Sequence, residues 1–89
     1  MDLTKADYVL RSKIRLNLLI SLKSKPKTPT QISKEISSHI THVSEALKQL
    51  EMKGYISCLN PDDKRNKVYY ITEDGKNLLN TISDATKVN

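Results

Sequence analysis

Phenylalanine and tryptophan are missing from this chain of 89 residues, glycine occurs twice and cysteine once. A core without large aromatics has to be built from Leu, Ile, Val and Tyr. That favours a modest, mainly helical domain which draws part of its stability from a partner subunit. A single cysteine, Cys58, rules out an internal disulfide and fits a reducing cytoplasm. Two glycines leave no room for a glycine-rich phosphate loop. No Ser/His/Asp arrangement or pair of buried carboxylates stands out either, so the chain reads as a non-enzyme without a cofactor. No apolar run approaches the roughly 20 residues of a membrane span. The N-terminus lacks the apolar core and small-residue cleavage site of a signal peptide.

What is present is positive charge, unevenly spread. The net charge is +5. Residues 1–29 hold seven Lys/Arg against two Asp, residues 30–54 three against three, residues 55–72 three against two, and residues 73–89 two against three. The excess therefore precedes the middle of the chain and returns near residue 65. A basic balance of this kind suits a polyanion partner.

The length fits one domain, 1–89. Residues 1–24 read as one N-terminal helix, with apolar residues on two faces. Leu3, Leu10, Ile14, Leu18 and Leu22 share one side; Val9, Leu16 and Ile20 lie nearly opposite, with Leu19 between. One face covers the domain's own core. The other needs a cover, either the last helix of the same chain or a second copy, and the expectation is a homodimer held by Val9, Leu16, Ile20, Leu79 and Ile82.

Ser24 to Pro29 is a loop by composition. Thr28, Pro29 and Gln31 form a capping-box start for a second helix with the stripe Ile32 and Ile36. Ser37 and Ser38 make a turn where one residue has to adopt a left-handed conformation. A third helix starts between Ser38 and Thr41 and runs to Lys53, with Gly54 as its left-handed cap. Ile40, Val43, Ala46, Leu47 and Leu50 fill its inner arc; Thr41, Glu45, Lys48 and Met52 fill the outer one, flanked by His42, Ser44 and Gln49. Tyr55 to Leu59 and Val68 to Ile71 are strand-like. Asn60-Pro61-Asp62-Asp63 forces the turn between them, with Lys64, Arg65 and Lys67 at its tip. Thr72 caps a last helix, 73–88, whose stripe is Leu78, Leu79, Ile82 and Ala85.

A helix-turn-helix at 29–54 followed by a hairpin at 55–71 with a basic tip is the layout of a winged helix-turn-helix, an α+β, mainly α fold. It comprises a three-helix core, a two-stranded wing and a C-terminal helix. The segments ALKQLEMKGYI and DDKRNKVYYITEDGKNLL resemble the winged core of MarR-type transcriptional regulators. Val43, Ser44, Ala46, Leu47, Leu50, Lys53, Gly54 and Ile56 match the helix pattern; Asp63, Arg65, Tyr70, Ile71, Thr72 and Gly75 match the wing pattern. SKIRLNLLISLKSKPKTPTQIS and CLNP are similar to small archaeal winged-helix regulators of the same superfamily. The chain departs from the pattern at Ser37, where Gly is usual, and at His39, where Ser is usual. The flanking helices that in the family build the dimer and the effector pocket are shorter here, so a small-molecule effector is left unassigned.

The resemblance implies that the third helix enters a DNA major groove and that Arg65 reaches the minor groove or its phosphates. It thereby singles out Thr41, His42, Ser44, Glu45 and Lys48. By its reach, Gln49 joins them as a reader of purine edges. Lys64, Arg65 and Lys67 are the wing cations for backbone contact, and Asp63 is expected to orient the Arg65 guanidinium. His39, His42 and Cys58 lack the second cysteine or carboxylate cluster of a metal site, so no metal is expected. The four tyrosines are not spaced as a stacking platform. The expected activity is sequence-specific binding of double-stranded DNA by a homodimeric, cytoplasmic regulator, a repressor at a palindromic operator. The alternative is a winged helix used for protein contact in a transcription or replication assembly, favoured by the neutral charge of 30–54 and by Met52.

Overall fold

The computed structural model describes residues 3–86, and the expected helix positions at residues 1–2 and 87–88 lie outside it, as do the side chains of Leu3 and Ala85. The elements are α1 (Leu3–Leu10), α2 (Lys13–Leu22), α3 (Pro29–Ile36), α4 (Ile40–Met52), β1 (Ile56–Cys58), β2 (Tyr69–Ile71) and α5 (Glu73–Thr86). A helix-turn-helix, a two-stranded antiparallel wing and a closing helix follow one another in the expected order. β1 pairs with β2 in the register Ile56–Ile71, Ser57–Tyr70 and Cys58–Tyr69.

The N-terminal region is two helices, not one. Ser12 breaks it: its backbone is extended (φ −131, ψ 117) and its hydroxyl accepts from the Arg15 N–H, capping α2. The break resolves the two-faced apolar pattern. In a continuous helix Val9 and Leu18 would lie about 180° apart, whereas here both are wholly buried in one core. Resetting the helical phase at Ser12 turns Val9 and Ala6 inward and leaves Leu10 exposed. Val9, expected at a subunit interface, is thus covered by its own chain and offers nothing to a partner. Leu79 and Ile82 are also mostly buried, because α5 packs over α1 and α2.

The middle of the chain follows the capping signals. Thr28 and Gln31 exchange both hydrogen bonds of the capping box. Ser37 takes the left-handed position (φ 55, ψ 45), and its neighbour's carbonyl accepts from the Ser33 hydroxyl. α4 starts at Ile40, capped by His39, whose Nδ1 accepts from the Thr41 N–H at 3.2 Å. Gly54 ends it with φ 82. Val43, Ala46, Leu47 and Leu50 are buried as the inner arc, while Ile40 at the end of that arc is exposed.

A strand-like contact was hidden in the loop before α3. Lys27 and Tyr69 exchange backbone hydrogen bonds of 3.0 and 2.9 Å, extending the sheet beyond β2. Lys27 is also nearly closed to solvent. Its ammonium donates to the Ser21 carbonyl, the Ser21 hydroxyl and Glu35, tying α2, α3 and the wing base together. These bonds satisfy a charge that would otherwise be expensive to bury. Thr72 caps α5 through the Gly75 N–H and donates its hydroxyl proton to the Gly54 carbonyl.

Gly75 lies where α5 crosses the start of the wing. A Cβ there would collide with the Tyr55 carbonyl oxygen and would sit 2.7 Å from Ile71 Cγ1. Backbone cannot yield as a flexible side chain can, so Gly75→Ala is expected to cost about 1–3 kcal/mol as overpacking. Thermal unfolding should report it as a fall of roughly 4–8 °C per kcal/mol for a domain of this size; an unchanged midpoint would contradict the close approach.

Candidate nucleic-acid interface

α4 presents a continuous polar arc. Thr41, His42, Ser44, Glu45 and Lys48 are exposed, as is Met52 at 87%. Gln49 stands apart from them. It is half-buried, and its Oε1 accepts from Arg15 Nε at 3.0 Å, so the side chain turned by sequence reasoning toward base edges is partly engaged with α2. His39 and His42 hold their rings 6.1 Å apart, with His39 engaged as a cap. Among the described residues no cluster of three His, Cys, Asp or Glu is placed to hold a metal.

The wing tip is shaped by two side chains. Asn60 accepts from the Val68 N–H at 2.7 Å and donates to the Asn66 carbonyl at 2.8 Å, bridging the loop from within. Asp63 Oδ1 accepts from the backbone N–H groups of Arg65 and Asn66, both at 2.9 Å. The expected pairing of Asp63 with the Arg65 guanidinium is therefore corrected: the acid organises the backbone of the tip. That is the commoner use of Asp in a turn, where its short side chain reaches N–H groups two and three residues on. Lys64 and Arg65 are exposed and, among the described residues, have no acidic partner; Lys67 is half-buried. Cys58 is half-buried at the strand end, with its thiol toward Asn60 Oδ1.

Sequence reasoning missed the roles of Arg15 and Lys27, and placed Asn60 in the turn without its bridging bonds. Only Asn60 had a local signal, since Asn before Pro starts turns. The other two act across long stretches of chain, where periodicity carries no information.

The chain belongs to the winged helix-turn-helix family, whose pattern matches residues 10–89. No curated protein sequence matches it. Among solved structures, the transcriptional regulator Tm0710 from Thermotoga maritima superposes with a TM-score of 0.74 at 23% identity, covering 91% of this chain and 61% of that one. A cysteine-to-serine mutant of MarR from E. coli, complexed with operator DNA, gives 0.73 at 24% identity over 82% of this chain and 54% of that one. The reduced form of the regulator YodB from B. subtilis gives 0.77 at 23% identity over 92% and 82%. At these identities the likeness is one of fold, and the chain spans little more than half the length of the first two.

Hydrogen bonds from the Asn66 and Arg65 N–H groups, in that order of effect, hold the Asp63 carboxyl below its ordinary value of 3.8. A depressed carboxylate stabilises the tip above the unfolded value and loses that contribution as pH falls through the lower, folded one. The Arg65 and Asn66 amide resonances should therefore titrate together below pH 3.8, and Asp63→Ala should abolish that step. Titration of both amides at or above the ordinary value would contradict the loop geometry.

Proposed function

We propose that the protein is a sequence-specific double-stranded DNA-binding transcriptional regulator. In this reading it is non-catalytic, acts as a cytoplasmic homodimer, and represses by occluding a palindromic operator. The observation that carries the reading is the exposed polar arc of α4 together with two exposed cations at the wing tip that have no acidic partner among the described residues. Short polar side chains at groove depth suit base edges, and tip cations suit phosphates or a narrow minor groove. The fold shared with MarR bound to operator DNA supports it. In each protomer Thr41, His42, Ser44, Glu45 and Lys48 face the bases, while Lys64, Arg65 and Lys67 lie along the backbone.

The dimer is assigned to a mainly apolar groove between α5 and the first two helices, lined by Leu10, Leu16, Ile20, Leu79 and Ile82 together with Lys23 and Ser83. Leu10 and Ile20 are 47% and 52% exposed, an apolar surface that a second copy would cover. No helix among the described residues is long and apolar enough to cross a membrane, so a bilayer-spanning role is not the reason for it. A two-fold dimer would read half-sites about one helical turn apart, or a multiple of that. Light scattering at micromolar concentration should give twice the 10.1 kDa chain mass, and Ile20→Lys should halve it with helicity retained. A monomer at all concentrations would end the dimer assignment.

Met52, the most exposed large apolar residue among those described, favours a second reading in which α4 contacts a protein. Selection of genomic DNA by the purified protein at stated salt separates the two. DNA binding should weaken steeply with salt, and Arg65→Ala should reduce the salt slope by about 1 with little change of preferred sequence. His42→Ala and Lys48→Ala should shift the preferred sequence, each lost base contact costing about 1–3 kcal/mol. If no sequence is enriched and charge reversal at Arg65 leaves activity intact, the protein-contact reading replaces this one.

A further inference from the structure

One half-buried side chain, Arg15, joins three helices. Its Nη1 donates to the Tyr8 carbonyl oxygen at 2.8 Å, its Nε donates to Gln49 Oε1 at 3.0 Å, and its guanidinium lies 4.1 Å from the Tyr8 ring centroid. Tyr8 belongs to α1, Arg15 to α2 and Gln49 to α4. The helix break creates this site. α1 stops at Leu10, the Ser12 N–H turns back to Val9, and the Tyr8 carbonyl is left among the unfilled acceptors of a helix end. A flat guanidinium suits the position because separate edges of its donor fork take a carbonyl and an amide while its face covers a ring. A lysine ammonium carries the same charge but not that shape. Lys53, which caps the end of α4 four residues beyond Gln49, places its ammonium 4.8 Å from the same ring centroid, so the end of α4 also approaches Tyr8 of α1.

The engagement changes what Gln49 can offer. A glutamine grips adenine with both ends of its carboxamide. With Oε1 turned to Arg15, the amide NH2 is the end left to a base or phosphate. We propose that Arg15 is a positioning residue for DNA reading: it sets the roll of α4 against α1 and α2 and restricts Gln49 to donation. This rests on the DNA-binding reading above. Leu10, Leu16 and Ile20, assigned to the partner copy, lie on the same two helices, so one side chain links the dimer seat to the reading helix.

The test uses full-length Arg15→Met, Arg15→Lys, Gln49→Leu and the Arg15→Met/Gln49→Leu pair. Affinity is measured at one salt concentration for the duplex the wild type selects and for a random duplex, and the α4 amide resonances are recorded in the free protein. Arg15→Met should lower the specific-to-random affinity ratio about ten-fold and shift the α4 amides. Arg15→Lys should fail to restore either. The loss in the pair should fall short of the product of the two single losses, because both changes break the Arg15–Gln49 contact. Gln49→Leu leaves Arg15 on the Tyr8 ring and carries the measurement if Arg15→Met does not fold; its preference should change at a single base position. The role is overturned if lysine restores wild-type reading, if specific and random affinities fall by one factor, or if the two single effects multiply in the pair. A wild-type protein that enriches no DNA overturns the DNA-binding reading and this role with it. Unmoved α4 amides in Arg15→Met overturn the role alone.

Discussion

Leu18 and Leu22 share one side of α2, Leu19 lies about 100° round from Leu18, and all three are almost wholly closed to solvent. A helix apolar on more than one side has to be buried on more than one side, and α2 accordingly packs against α1, α3, α4, α5 and β2. Each fully buried leucine contributes about 1.5–3 kcal/mol relative to exposure. In a chain with no Phe or Trp, that places much of the available core energy on one short helix. The other elements have fixed places because each covers part of it. α4 holds its polar arc outward by burying Val43, Ala46, Leu47 and Leu50 on the opposite side.

Most of the capping and turn chemistry of residues 28–75 was legible because it is local; the backbone role of Asp63 at the wing tip was not. Thr28 with Gln31, Gly54 after the third helix, and Thr72 before the last are short-range devices whose residues occur at set spacings. The N-terminal helices were not legible, because the phase break at Ser12 depends on packing. Serine inside a helical pattern is ordinary, and only the need to bury Val9 and Leu18 together selects the broken form. The same holds for Lys27, which composition puts in a loop. Its β-bridge and its buried ammonium depend on Tyr69, Ser21 and Glu35, residues supplied by three separate parts of the chain. At the candidate interface, exposure of the α4 arc followed from the helical wheel. The occupation of Gln49 did not, since its partner is 34 residues away.

The charge distribution also has to be revised by structure. Seven Lys/Arg in residues 1–29 suggest a strongly cationic surface. Yet Lys27 is buried and paired with Glu35, Arg11 pairs with Asp7 at 2.8 Å, and Arg15 is used between helices. Lys5, Lys13, Lys23 and Lys25 are the exposed lysines that remain there. Glu35 is itself held below the usual carboxylate range, chiefly by the hydrogen bond from Lys27. Part of the formal excess is therefore structural, and a polyanion meets fewer cations than the sequence counts.

That reduction bears on how affinity and specificity divide between elements. Residues 30–54 carry no net charge, and Lys53, one of their three cations, leans on the Tyr8 ring. A helix-turn-helix without net charge adds little of the sequence-independent attraction that counterion release supplies. In the proposed reading that attraction comes from the wing tip and the exposed N-terminal lysines, while α4 discriminates by the geometry of short side chains. Discrimination of that kind is sensitive to helix placement, because a hydrogen bond weakens steeply once its angle or distance drifts. The contacts that hold α4, its apolar inner arc against the core and its flank against Arg15 and Tyr8, are consequently as much part of base reading as the residues that would touch the bases.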